Sequence, residues 1–370
     1  NSRATDIHIE PQSYGLSVRY RIDGILYSIM NVPTSVQSEV ISRVKVLGGM
    51  DITQRQHSQD GHFTITVEDR EYDIRVATLP TVSGEKLVLR LLNPEDVFRG
   101  LRELGLESDQ LTALEESIAE PHGMILATGP IGSGKTTTLY AILSEIDIFE
   151  RNVVTIEDPV EYQLPGINQV QIDLRVHRTF ADMVRSVVRQ DADVIMIGEI
   201  RDEDTARVGV RAAMTGHQVL STLHTNDAVS AVDTLRHLGI PPFLITNSLR
   251  TVVAQRLVRK LCSNCRERYK PEAAKLKAVG LTASQARNKT FYQAVGCDEC
   301  FRTGYRGRTG IFEIFRIDDS TRELILKDAP HSELLAHAKR KRMTPLMKSG
   351  LKKVQAGATT LDEILRVTMA

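Results

Sequence analysis

Over roughly the first ninety residues, apolar and polar side chains alternate. Leu16, Val18, Tyr20 and Ile22 share one face of a strand, and the run closes on Asp23-Gly24, a pair that favours a two-residue hairpin turn. Between Val36 and Gly48 the apolar positions recur instead at helical spacing, and alternation resumes over residues 63–67, 72–79 and 86–92. This pattern predicts a small α+β domain. From about Leu111 helical stretches alternate with short, almost wholly apolar runs at 124–128, 153–156, 194–197 and 219–222. Such runs read as a parallel sheet buried on both faces, so the second domain is predicted to be α/β. Asn93-Pro94 interrupts the strand pattern and places a linker between Asn93 and Arg102. The expected domains are therefore residues 1–97 and 98–370, the latter carrying a cysteine-bearing element at 258–310 and an amphipathic helical tail at 311–370.

A chain of 370 residues is long enough for two compact cores, in keeping with the change of pattern. Lys plus Arg and Asp plus Glu number 47 each, so no global field draws the protein onto nucleic acid or anionic lipid. The longest apolar runs fall far short of the ~18 residues that would cross a bilayer. No secretory leader is read at the start, and all four cysteines fall in two Cys-x-x-Cys pairs, which suits metal in a reducing cytoplasm better than disulfides. The run Lys339-Arg340-Lys341-Arg342 reads as a solvated helical face rather than a lipid or nucleic-acid patch.

Gly129-Pro130-Ile131-Gly132-Ser133-Gly134-Lys135-Thr136 fits G-x-x-x-x-G-K-[ST], and it both follows an apolar strand and opens a predicted helix. Glycines let successive backbone N–H groups curl around phosphates, and the helix N-terminus adds its partial positive charge. Lys135 would add charge toward the β and γ positions, Thr136 could ligate Mg²⁺, and Thr137 follows in the first turn. The site expected from these residues, Gly129, Gly132, Ser133, Gly134, Lys135, Thr136 and Thr137, is one for ATP. No full G-x-G-x-x-G is present, so a dinucleotide site is rejected.

Polar residues also stand at the ends of the other apolar runs, where a doubly wound sheet faces its nucleotide. Glu157-Asp158-Pro159-Val160-Glu161 follows the second run, Gly198-Glu199-Ile200-Arg201 the third, and His224-Thr225-Asn226 the fourth. Glu199 takes the place of a Walker-B acid, although the usual aspartate is missing. Cys262-Ser263-Asn264-Cys265 and Cys297-Asp298-Glu299-Cys300 make a two-pair Cys₄ set suited to a structural Zn²⁺.

With these residues in order, the chain resembles the motor ATPases of type II secretion and type IV pilus assembly. Asp6-Ile7-His8-Ile9-Glu10-Pro11, Arg21-Ile22-Asp23-Gly24 and Gln59-Asp60-Gly61 extend the resemblance to the N-terminal domain, so it covers nearly the whole chain. It implies a RecA-like P-loop ATPase core preceded by a PAS-like α+β domain, and a tetracysteine element of the kind that assembly and secretion members carry. It further implies that Glu157, Asp158 and Glu161 form an aspartate box with Glu161 activating water, that Glu199 is the Walker-B glutamate, and that His224 senses or orients the γ-phosphate. Arg75 and Arg90 match arginines that reach the triphosphate when the domains close.

The resemblance implies a cytoplasmic homohexamer, peripheral to the inner membrane, working through a membrane platform or docking protein to add pilin or pseudopilin subunits, with no nucleic acid involved. The separate N-terminal docking domain of many members is expected to be absent from this chain. Secretion and pilus assembly both stay open. A nucleic-acid translocase with a RecA-like core is the alternative from another class, and zero net charge speaks against it. A zinc-stabilised module with a silent nucleotide site is a third, opposed by the retention of Lys135, Glu161 and Glu199.

Overall fold

The computed structural model describes residues 3–68, 70–92, 100–176 and 178–369. It divides into two compact units, Asn1–Val97 and Phe98–Ala370. Most of the linker expected at Asn93–Arg102 lies outside the described residues.

The first unit is a six-stranded antiparallel sheet of β1 (Ala4–Gln12), β2 (Gly15–Ile22), β3 (Ile25–Pro33), β4 (Asp60–Val67), β5 (Arg70–Thr81) and β6 (Gly84–Leu92), in the order β3-β2-β1-β6-β5-β4. The β2–β3 turn is Asp23-Gly24, with Ile22 opposite Ile25 and both turn residues at positive φ, 49° and 88°, as a primed hairpin turn requires. One helix, α1 (Gln37–Leu47), lies between β3 and β4. Period-2 alternation sends Ile9, Leu16, Ile74, Val76, Leu87 and Leu89 to one face, where they form a single core with Ile41 of α1 and Met50. Beside that core lies a buried ion pair: Lys45, 1% exposed, donates to Glu85 at 2.8 Å and to the Gln54 carbonyl at 2.6 Å.

The second unit is built on a seven-stranded sheet of β7 (Gly123–Thr128), β8 (Val153–Glu157), β9 (Asn168–Gln171), β10 (Val194–Ile197), β11 (Gln218–Leu223), β12 (Leu249–Leu261) and β15 (Tyr305–Arg316), ordered β15-β12-β7-β11-β10-β8-β9. The strands β13 (Glu267–Tyr269) and β14 (Phe291–Gln293) form a separate pair in the cysteine-bearing region. Every residue of β7, β8, β10 and β11 is buried. Helices cover both faces, which is why these strands read as unbroken apolar runs. They are α2 (Ser108–Ile118), α3 (Lys135–Leu143), α4 (Phe180–Val187), α5 (Glu203–Met214), α6 (Ser230–His237) and α7 (Pro242–Ser248). After β12 come α8 (Ala273–Ala278) and α9 (Ala283–Ala286), and then α10 (Asp319–Leu326), α11 (His331–Arg340), α12 (Leu346–Gln355) and α13 (Leu361–Thr368).

The structure corrects the sequence reading in two places. The sheet is mixed, because β15 pairs antiparallel with β12, placing Phe312 opposite Gln255 and Phe315 opposite Val252. The stretch expected to open a helical tail therefore begins as strand: residues 311–316 belong to β15, and helix starts only at α10, where Asp318 accepts from the Thr321 amide as its cap. Its apolar side chains Ile311, Phe312, Ile314 and Phe315 are all buried, so the run is a core strand. The basic run 339–342 is exposed throughout, as read, and Lys341 pairs with Asp318 at 3.0 Å. Among the described residues no helix is long and apolar enough to cross a membrane.

Candidate nucleotide site and four-cysteine cluster

The strands β7, β11, β10 and β8 are neighbours and parallel, so their carboxyl ends line one edge. Thr128 ends β7 and leads into the glycine-rich loop, whose Gly129, Gly132 and Gly134 all adopt positive φ, 149°, 76° and 90°. Gly129 also has no room for a side chain: a Cβ there would lie 2.6 Å from the Gln255 carbonyl oxygen and 2.6 Å from Ser133 Oγ. Gly134 caps α3, which puts Lys135, Thr136 and Thr137 in its first turn. Lys135 Nζ donates to the carbonyls of Gly129 at 2.9 Å and Pro130 at 3.2 Å. Burial lowers the pKa of this lysine, and Arg256 adds to the effect while Glu199 opposes it.

The loop rests on β12, because Gln255 Nε2 donates to the Ser133 carbonyl at 2.8 Å. Arg256, 8% exposed, donates to the Gln255 carbonyl at 3.0 Å and to that of Asn226 at 2.8 Å, tying the P-loop support to the loop after β11. Three buried polar atoms here, Thr128 Oγ1, Ser133 Oγ and Gln255 Oε1, have no hydrogen-bond partner among the described residues. Buried polar groups are ordinarily satisfied, so orphans clustered on a glycine-lined cradle fit a site built for a polar ligand.

Glu199 follows β10, is 14% exposed, and ion-pairs with Arg201. His224 follows β11, and its Nε2 lies 3.4 Å from Glu199 Oε2. Gly198 precedes Glu199 where a Cβ would come within 3.2 Å of the Ile156 carbonyl of β8, which accounts for a glycine at that bend. The structure thus gathers Glu199, His224 and the charge of Lys135 at one edge.

The acid box divides. Glu157 is 3% exposed and accepts from Tyr140, from Thr155 Oγ1 at 2.6 Å and from Gln169 Nε2 at 3.0 Å, so its carboxylate is engaged in the interior. Burial, then the Glu157 hydrogen bond, raises the Tyr140 hydroxyl's pKa. Asp158 is exposed, and Glu161 stands half-buried on the loop between β8 and β9, close enough for its charge to raise the Tyr140 pKa further. Sequence reasoning missed Gln255, Arg256 and Tyr140, since nothing local distinguishes a loop-supporting glutamine from any other in a strand. Arg75 and Arg90 lie in the first unit, directly opposite one another on β5 and β6.

The cysteines converge from two turns. Cys262–Cys297, Cys265–Cys300 and Cys297–Cys300 have sulfur separations of 3.9, 3.8 and 3.7 Å, and all four sulfurs lie within 4.8 Å of one another. Thiolates at about 2.3 Å from a tetrahedral Zn²⁺ stand roughly 3.8 Å apart. The amides of Gly296 and Gly304 point at Cys265 and Cys300 sulfur at 3.3 and 3.2 Å, and Asn264 Nδ2 lies 3.4 Å from Cys297 sulfur. Donors of that kind accompany metal-bound thiolates. The set fits a tetrahedral metal by separation and by donor chemistry.

A doubly wound core with a strand–glycine loop–helix at its carboxyl edge, flanked by an acid and an imidazole from adjacent strands, defines a P-loop ATPase. The family described as Type II/IV secretion system protein matches residues 1–366, and the chain belongs to it. It is 45% identical over 366 residues to the type II secretion system ATPase E of Vibrio cholerae, covering 99% of this chain and 72% of that protein. It is also 45% identical over 366 residues to the type IV pilus assembly ATPase PilB of Myxococcus xanthus, covering 98% of this chain and 64% of that protein. The X-ray structure of the Legionella pneumophila ATPase DotB has the same fold, with a TM-score of 0.72 at 22% identity, covering 99% of this chain and 92% of that one.

Proposed function

We propose that the chain is the hydrolysing subunit of a cytoplasmic homohexameric motor that powers pseudopilus assembly in type II secretion or pilus assembly in a type IV system. The observation that carries this reading is the convergence of the P-loop, Glu199 and His224 on one sheet edge, with orphaned buried polar atoms on the loop. Lys135 and the loop amides bind the β- and γ-phosphates of ATP. Thr136 and Glu199 would hold Mg²⁺, directly or through water, and the ion when bound neutralises phosphate charge. Glu161 accepts the proton of the attacking water as its oxygen bonds to the γ-phosphorus and the bond to the β–γ bridging oxygen breaks, leaving ADP and phosphate. His224, held beside Glu199, orients the γ-phosphate. Arg75 and Arg90 would supply positive charge to the triphosphate on domain closure, so that motion and chemistry share residues.

Cys262, Cys265, Cys297 and Cys300 would hold a Zn²⁺ that pins the turn after β12 to the turn before β15, a structural role since four protein ligands leave no open position. A PAS-like reading of the first unit is supported by its antiparallel sheet with one helix on a face. With no spanning helix among the described residues, force would pass through an inner-membrane platform or docking protein. The test is Glu161→Gln in the full chain: ATP binding is retained and turnover lost. Wild-type turnover would remove Glu161 from the mechanism, and stimulation of the wild-type protein by DNA would favour a translocase.

A further inference from the structure

On the sheet face of the first unit opposite its apolar core, strand register sets five polar residues in one row. Arg21 of β2 faces Asp6 of β1, Asp6 faces Arg90 of β6, Arg90 faces Arg75 of β5, and Arg75 faces His62 of β4. Residues directly opposite share a face with Cβ atoms ~5 Å apart, and like charges so placed repel. Asp6 is the one carboxylate in this row, and it is 6% exposed. Its Oδ1 accepts from Arg90 Nε at 3.1 Å, its Oδ2 accepts from Thr5 Oγ1 at 2.8 Å, and Arg21 Nε lies 3.7 Å from Oδ2. Arg90 itself is 58% exposed.

We propose that Asp6 is a positioning residue for ATP hydrolysis: a buried carboxylate that holds Arg90 by its Nε, so that the two terminal nitrogens are presented to a triphosphate. An exposed arginine surrenders much rotamer freedom when it engages a phosphate, and one already held at Nε surrenders less. A carboxylate bound in the usual two-point way would occupy a terminal nitrogen as well. Here the contact is made at one point, which holds the stem and leaves the fork for bidentate phosphate recognition. The proposal rests on the reading of Arg90 as a phosphate contact.

The test is steady-state ATP hydrolysis by the full chain as wild type, Asp6→Asn, Arg90→Ala and the double variant. Glu10→Gln serves as control, because Glu10 grips Arg19 at 2.7 Å and Lys86 at 2.8 Å, not Arg90, from the same strand. Asp6→Asn is expected to lower kcat on the order of tenfold with KM for ATP changed less than about twofold. The double variant should match Arg90→Ala alone, because Asp6 acts through Arg90. Glu10→Gln should keep the wild-type kcat. If Arg90→Ala loses turnover and Asp6→Asn does not, the proposal fails while the phosphate reading of Arg90 stands. If Arg90→Ala turns over as wild type, that reading fails and the proposal with it. Losses that multiply in the double variant would mean Asp6 acts elsewhere, as a merely structural residue would, and would overturn it.

Discussion

The last helix, α13, is fastened to β12 by one carboxylate. Glu363 is 1% exposed, and it accepts from Arg259 Nη2 at 2.8 Å, from the Arg259 amide at 3.1 Å and from Arg366 at 2.9 and 2.6 Å. Burial alone would push this carboxyl up, but the hydrogen bonds from Arg366 and Arg259 outweigh it and hold the pKa at about 2 instead of 4.5. The folded state therefore favours the charged form, and the preference is equivalent to about 3 kcal/mol of stability. Because the folded pKa is depressed, that stability is fully present above pH 4.5 and is lost as pH falls toward 2.

Glu363→Gln should thus cost the second unit about 3 kcal/mol at pH 7, a fall of roughly 6–12 °C in its unfolding midpoint. At pH 3.5 roughly 40% of the advantage of the wild type should have gone. The assay is thermal unfolding of both proteins in parallel from pH 7 to 3.5, read as their difference so that other titrations cancel. A difference below about 1 kcal/mol at pH 7, the size of an exposed pair, or one that does not shrink on acidification, would show that the Glu363 carboxylate does not fasten α13.

Other outcomes follow from the same geometry. Lys45→Met leaves Glu85 buried without its cation and should destabilise the first unit by about 3–5 kcal/mol in chemical unfolding, whereas Lys45→Met with Glu85→Leu should recover most of the loss. Cys300→Ser removes the sulfur that accepts from the Cys297 and Gly304 amides. Metal analysis should find about one zinc per wild-type chain and none in the variant, with a lower midpoint for the second unit. Gly129→Ala places a methyl 2.6 Å from two oxygens at a φ of 149°. It should weaken nucleotide binding on the order of a hundredfold or more with an unchanged circular dichroism spectrum, measured by equilibrium binding of a fluorescent ATP analogue.

What the sequence discloses is what depends on short-range pattern. The Asp23-Gly24 hairpin, the four buried runs and the strand–loop–helix around Lys135 are each encoded within about twenty residues, and each stands where its pattern puts it. Pairing between β12 and β15 joins residues 44 to 65 positions apart, from Leu261 with Tyr305 to Thr251 with Arg316, so nothing local says that residues 311–316 end in a sheet. The acid box shows the same limit: Glu157 and Glu161 look alike in sequence, but only the strand end at Glu157 is enclosed by Tyr140, Thr155 and Gln169. Gln255 supports the P-loop through an amide that only the fold brings under Ser133. The row from Arg21 to His62 exists only as strand register, which alternation suggests in face but not in partner.

On the proposed function, this chain hydrolyses ATP as a motor whose sites are completed by assembly. Turnover per subunit decides this, measured with Mg²⁺ across a range of protein concentrations over which assembly is followed by light scattering. Turnover per subunit should rise with the assembled fraction, disappear in Glu161→Gln and be unchanged by DNA. Turnover per subunit that stays constant as the protein assembles would overturn it.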